Sequence, residues 1–228
     1  MLRPMRTPWL ALLALVACAG GPRPFPPPDP AVVARNQAAG DPYSGRFPMD
    51  KALEGLPADG PLQAILTTDA GAIHCRLDAS SAPLAVANFI GLARGLRPFQ
   101  DREDGPWISA PFFDGLPFHR AVAGQFVQTG RRGDAETPGF ALQDEMSPGH
   151  VFDRAGLLAL ANSGTPHTSA AQFFVTTATL SSLDGLHTIF GTCDDEDVVR
   201  ELERRALAAT ASGAPPPVLQ HVEIRRGS

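Results

Sequence analysis

Lysine is almost missing from this chain. Of its 19 basic residues only Lys51 is a lysine, which reads as a composition bias of the source genome and not as a functional signal. Clusters of Lys and Arg are missing too, and the net charge is −5 with an isoelectric point near 5.6. That balance excludes a protein built to hold a nucleic-acid backbone. No apolar run reaches the ~18 residues of a spanning helix, and no fixed-period repeat points to a solenoid. A nucleophile elbow, a zinc-ligand helix and a phosphate loop are all lacking, so a hydrolase has no support. What remains is a chain of 228 residues, 43% hydrophobic, long enough for one sizeable core and a tail.

The N-terminal stretch has its own logic. Arg3 and Arg6 precede a short apolar run, Trp9 to Val16, which fits a signal peptide and is too short for a membrane helix. The run ends in Leu15-Val16-Ala17-Cys18, which resembles the lipobox of bacterial lipoproteins. The competing reading is an ordinary secretory signal with a chance cysteine. The resemblance implies a signal peptide over 1–17 and a lipid on Cys18, whose two or more acyl chains would suffice for stable attachment. Ala19 lacks the aspartate linked to inner-membrane retention in enteric bacteria. The expected location is therefore the periplasmic face of a membrane, the outer one in preference. Residues 18–61 are rich in Pro and Gly, a composition that favours extended spacers. Phe25, Tyr43 and Phe47 give this spacer a means of packing on the domain that follows.

That domain is expected over 62–228. Residues 64–67 and 72–77 read as strands, the second alternating Ile73, Cys75 and Leu77 with polar residues. The period then changes: Ser81 can cap, Pro83 suits a first turn, and Val86, Phe89, Ile90 and Ala93 share a helical face closed by Gly95. Short strands follow at 125–128, 156–161, 172–176 and 188–191. A second helix over 195–208 turns Val198, Val199, Leu202 and Ala206 inward. Asp194, Asp195, Glu196 and Asp197 at its start suit the helix dipole better than a calcium ion. A last strand runs over 218–225. Many short strands with two substantial helices predict a mostly-β, closed or nearly closed barrel.

Three segments in order resemble the cyclophilin family of peptidyl-prolyl isomerases. They are Ala82-Pro83 with Val86-Ala87-Asn88-Phe89 followed by Phe113 through Arg120; Gly156 through Gly164 leading into Gln172-Phe173-Phe174-Val175; and Leu183 through Gly191. Together they span most of 62–225. The resemblance implies a closed eight-stranded antiparallel barrel with a helix at each end. It also implies an activity on proline-containing polypeptides that needs no cofactor and no metal, carried by a monomer. By family position Arg120 would stabilise the twisted amide, with Gln128 holding both Arg120 and the substrate backbone. Phe126, Phe174 and Leu183 would form the proline pocket, His187 its edge, and Ala161 and Asn162 the stretch pairing with the peptide main chain.

The departures are specific. Counting from Arg120 puts Gln125 where the family has a pocket phenylalanine and Phe126 one place later. Either one aromatic is lost or Phe126 takes its place. Gln125 also keeps open a second reading, a proline-peptide-binding module with weak or no turnover. Ser182 stands where many eukaryotic members have tryptophan, which implies weak cyclosporin binding. Cys75 and Cys193 both fall in or beside predicted strands; two buried thiols are favoured over a disulfide, and only geometry decides.

Overall fold

The computed structural model of the chain describes residues 24–133 and 137–227. The expected signal peptide over 1–17 and the lipid site Cys18 lie outside the described residues. Nine strands form one antiparallel sheet. They are β1 (Leu62–Thr68), β2 (Gly71–Leu77), β3 (Leu116–Pro117), β4 (Arg120–Val122), β5 (Phe126–Thr129), β6 (Leu157–Leu160), β7 (Phe173–Thr176), β8 (Ile189–Cys193) and β9 (Val218–Arg226). Across the sheet the order is β3-β9-β1-β2-β8-β6-β7-β5-β4.

The edge strands β3 and β4 lie at opposite ends of that order, yet only Phe118 and His119 separate them in the chain. The sheet therefore curls until its edges adjoin. The expected closed eight-stranded barrel is corrected to a strongly curled half-barrel of nine strands, in which no ladder joins β3 to β4. Proline supplies part of the reason. β3 ends at Pro117, which has no N–H to give, and the next donor, Phe118 N–H, bonds the Pro217 carbonyl at 2.8 Å instead.

Period-two alternation sorts the sheet into two faces. Leu66, Ile73, Val127, Leu158, Phe173, Val175 and Phe190 enter the main core. Phe126, Leu157, Ala159, Phe174 and Ile189 make a second apolar cluster on the other face. Helix α3 (Pro83–Ala93) is buried at every position. Its Phe89 ring plugs the main core, with centroids 5.1 Å from Phe113, 5.4 Å from Phe173 and 5.3 Å from Phe190. Helix α4 (Glu196–Ser212) turns Val199, Leu202, Ala206 and Ala209 inward against β2, β4 and β5, and ends on Gly213 at φ 72°. Val198 packs at the rim, half-buried.

Two local expectations change. Ser81 does not cap α3. Ala82 is the capping position and makes no side-chain bond there; the Glu145 carboxylate, from a distant loop, accepts the N–H groups of Leu84 and Ala85 at 3.0 and 2.9 Å. Cys75 and Cys193 are joined in a disulfide and are not two free thiols. Antiparallel pairing of β2 with β8 places these residues directly opposite one another, a register that only the folded sheet defines.

The described part of the expected spacer, 24–61, is folded on the domain. It holds α1 (Pro30–Ala38), whose first turn is capped by Asp29, and the single-turn α2 (Met49–Ala52), which packs on α3. Phe47 and Ala52 enter the main core. Gly91 of α3 permits this, since a Cβ there would lie 2.5 Å from the Phe47 ring. A buried ion pair locks the arrangement. Asp41 accepts two bonds from the Arg97 guanidinium, at 2.6 and 2.8 Å, and both side chains have no exposure. The same guanidinium lies 3.9 Å from the Phe140 ring centroid.

Burial pushes the Glu145 carboxyl up to about 7, against the two N–H donors and the Arg46 charge. Its folded value lies above its unfolded one, so the stability it contributes is complete below about pH 4.5 and is lost as pH rises to about 7. A difference of that size corresponds to about 3 kcal/mol. Urea unfolding at pH 5 and pH 7.5 should show the wild type losing stability relative to Glu145→Gln over this interval. Parallel behaviour of the two proteins would contradict the assignment.

Candidate active site

Arg120 opens edge strand β4 and is exposed. Its partner in the β4–β5 ladder is Gln128, and the side chains meet, Arg120 Nη1 donating to Gln128 Oε1 at 3.0 Å. Gln128 Nε2 in turn donates to Gln172 Oε1 at 2.9 Å. Gln172 directly precedes β7, and its carbonyl accepts the Ala161 N–H at 2.9 Å. Close approach of this segment to β5 depends on Gly130: its φ is 89°, and a Cβ there would lie 2.5 Å from the Ala171 carbonyl oxygen.

Beside the guanidinium is an aromatic floor. The Arg120 guanidinium carbon is 4.9 Å from the Phe126 centroid, and Phe126 and Phe174 are 5.0 Å apart. His187 meets Phe174 edge-on at 5.3 Å, and Phe152 stacks on Phe174 at 5.9 Å. Leu183, in the helical turn Ser181–Leu183, packs half-buried against this cluster. Gln125 lies in the turn before β5, exposed, with its N–H given to Val122 and its carbonyl accepting from Thr177. Phe126 is thus the aromatic in the pocket, and Gln125 stands outside the apolar cluster.

Burial favours the neutral form of the two histidines near Arg120. Burial keeps His187 below the usual histidine value, with Arg120 adding to the effect; its Nδ1 lies 3.0 Å from the Leu160 carbonyl, which assigns the proton to that nitrogen. Burial and then the charge of Arg131 lower His119, whose Nε2 lies 3.2 Å from Gln172 Oε1. Neither is arranged as a general base. The arrangement can fix a cation and its N–H groups at the rim of an apolar pocket, and it moves no proton.

A groove of about 290 Å³ continues from Arg120 and Gln128 past Asn162, Thr168 and Gln172. Asn162 is held at the groove by neighbouring backbone: Nδ2 donates to the Leu186 carbonyl at 2.8 Å and Oδ1 accepts from Gly164 N–H at 3.0 Å. Ala161 has its N–H engaged by Gln172 and adds apolar surface to the pocket. A second depression of about 270 Å³, lined in part by Arg76, Asp78, His150 and Arg154, contains none of these residues.

The structure therefore brings together Arg120, Phe126, Gln128, Ala161, Asn162, Phe174, Leu183 and His187, and leaves Gln125 apart. Sequence reasoning missed Gln172 and Phe152. Gln172 lies within a quoted motif, next to Phe173-Phe174, but its part in orienting Gln128 needs the β5–β7 ladder to be known. Phe152 comes from a loop without periodic signal.

The chain as a whole is similar to known proteins. A family model described as cyclophilin type peptidyl-prolyl cis-trans isomerase/CLD matches residues 63–226. Peptidyl-prolyl cis-trans isomerase A of Mycobacterium tuberculosis is 40% identical over 170 residues, covering 71% of this chain and 91% of that protein. Peptidyl-prolyl cis-trans isomerase B of Streptomyces anulatus is 38% identical over 158 residues, covering 68% and 87%. Among solved structures, a cyclophilin type isomerase of Cryptosporidium parvum superposes with TM-score 0.60 at 23% identity, over 74% of this chain and 99% of that one. The same protein, in the presence of the dipeptide Ala-Pro, gives TM-score 0.59.

Removing the outer member of the hydrogen-bonded row should loosen Arg120 without opening the core. Gln172→Leu is expected to lower kcat/KM by about tenfold, the scale of one lost hydrogen bond, with an unchanged circular dichroism spectrum. Wild-type kcat/KM in this variant would show that the row has no part in catalysis.

Proposed function

The chain belongs to the cyclophilin-type peptidyl-prolyl cis–trans isomerase family, and we propose that it accelerates rotation about X-Pro bonds through the guanidinium of Arg120. Rotation about the prolyl amide costs C–N resonance, a barrier of about 18–20 kcal/mol for a peptide bond. No bond breaks, and neither a nucleophile nor a proton shuttle is needed. As the amide twists, its nitrogen pyramidalises and regains a lone pair, and a fixed donor there stabilises the transition state more than the planar ground state. A guanidinium suits this because it stays protonated and keeps its N–H groups in a rigid fork.

The carrying observation is the row Gln172–Gln128–Arg120 beside the Phe126–Phe174 floor. The floor would take the pyrrolidine ring, and His187 and Leu183 would border it. The groove past Asn162 would take the residues that precede the proline. The Cryptosporidium parvum relative has been solved in the presence of the dipeptide Ala-Pro, which supports a proline-containing peptide as the ligand of this pocket. Gln125, the departure that favours a mere binding module, lies outside the apolar cluster, while Phe126 supplies the aromatic surface.

The substrates we assign are proline-containing segments of exported proteins. Arg3, Arg6, the apolar run to Val16 and the Leu15–Cys18 lipobox support cleavage before Cys18 and lipid attachment there. The enzyme would then work as a monomer from the periplasmic face of the outer membrane.

Acceleration of isomerisation in an Ala-Pro test peptide should fall by about 100-fold or more in Arg120→Ala, the range for removing one transition-state donor. A folded variant with undiminished rate would remove Arg120 from the mechanism. The anchor has a separate test: labelled fatty acid fed to expressing cells should enter the wild type, recovered with membranes, and not Cys18→Ser. An unlabelled, soluble wild type would contradict lipidation.

A further inference from the structure

Residues 24–61 precede the family match at 63–226, yet α1 lies on the segment that supports the peptide groove. Asn36, buried, pairs with Ala141 as a neighbouring strand would: Nδ2 donates to the Ala141 carbonyl and Oδ1 accepts the Ala141 N–H, both at 2.8 Å. Asp29 N–H adds a bond to Gln143 Oε1 at 2.9 Å. The same segment bonds onward to the groove loop. Leu142 N–H donates to the Ser169 carbonyl at 2.7 Å, Asp144 N–H to His167 Nδ1 at 3.0 Å, and His167 N–H to Asp144 Oδ2 at 2.7 Å. Arg35 of α1 also reaches the loop directly, donating from Nη2 to the His167 carbonyl.

The loop so held is the one that needs holding. Residues 163–166 are exposed, and His167 sits at φ 61°, a conformation a non-glycine residue adopts only when its surroundings impose it. Ordering such a segment costs backbone entropy at every residue. Its Ser163, Thr168, Ala170, Ala171 and Gln172 line the groove, and Gln172 leads through Gln128 to Arg120.

We propose that α1 is a brace for the peptide groove, with Arg35 and Asn36 as positioning residues that hold loop 163–172 in the shape that receives the residues ahead of the X-Pro bond. The brace is built from the N-terminal segment, so this chain's grip on longer peptides depends on sequence that precedes its isomerase domain. The inference rests on the active site as assigned above.

Arg35 is exposed, so replacing it removes the bond to the loop without opening the core. The test uses the full chain as wild type, Arg35→Ala and Arg35→Lys. Three measurements are made: kcat and KM on a tetrapeptide with two residues ahead of proline, binding of the dipeptide Ala-Pro, and amide hydrogen exchange over 163–172. For Arg35→Ala the expected result is a KM about fivefold higher, the net scale of one ordinary hydrogen bond lost at an exposed site, with kcat within about twofold. Ala-Pro should bind as in wild type, loop exchange should be faster, and Arg35→Lys should restore both KM and exchange. Unchanged exchange in Arg35→Ala overturns the brace whatever the activity. So does equal weakening of the tetrapeptide and of Ala-Pro. A wild type that neither binds nor turns over either peptide would refute the site assignment instead, and the exchange result would still decide the brace.

Discussion

A two-residue step governs this molecule: Phe118 and His119 carry the chain from one edge of a nine-stranded sheet to the other. Strands rise about 3.3 Å per residue and sheets of this width span far more than two residues can bridge, so the sheet must curl. Curling gives it an inside, filled by Phe89, Phe113, Phe173 and Phe190, and an outside on which alternate residues of the same strands appear. Phe173 faces in and Phe174 out, Val127 in and Phe126 out. The residue that follows the step is Arg120, first on the far edge. Its exposure and its placement over an apolar floor both follow from the curl.

Chemistry of this kind asks for little besides geometry. A donor aimed at charge developing only in the transition state is worth about 2.7–4 kcal/mol, a rate factor of 10² to 10³. That gain requires an orientation held beforehand, since a mobile side chain would give it up in ordering. Here the ordering is built in by the ladder pairing of Arg120 with Gln128 and of Gln128 with Phe174, with Gln172 at the end of the row. Stability elsewhere serves the same end. The Arg97–Asp41 pair, fully buried and matched in two hydrogen bonds, fastens the N-terminal segment; leaving either charge without its partner would cost about 3–5 kcal/mol.

Much of this was legible in the sequence, and the limits have physical causes. Alternation at Ile73, Cys75 and Leu77 marks β2, and the change of period after Ser81 marks α3, because both signals are local. Arg120, Phe174 and His187 stand in local motifs, and Gln128 follows Arg120 by eight residues, a separation that the β4–β5 hairpin turns into direct pairing. Strands β3 and β4 escape because Leu116–Pro117 and Arg120–Val122 are too short to alternate. Helix α1 escapes because prolines dominate its neighbourhood, although Asp29-Pro30 is a cap followed by a favoured first residue. The Glu145 cap and the disulfide join positions 60 and 118 residues apart, and no local pattern encodes such register. Gln172 belongs with these: its partner is 44 residues away.

The central claim is that a guanidinium held in a set orientation, and not merely a positive charge near the pocket, lowers the barrier. Arg120→Lys separates the two, because it keeps the charge but loses the planar fork and its match to Gln128. Exchange spectroscopy on an X-Pro peptide with catalytic amounts of this variant is the direct measurement. The account predicts a rate at least about tenfold below wild type, in line with one lost oriented hydrogen bond, with the peptide still bound. A lysine variant as fast as wild type would contradict it.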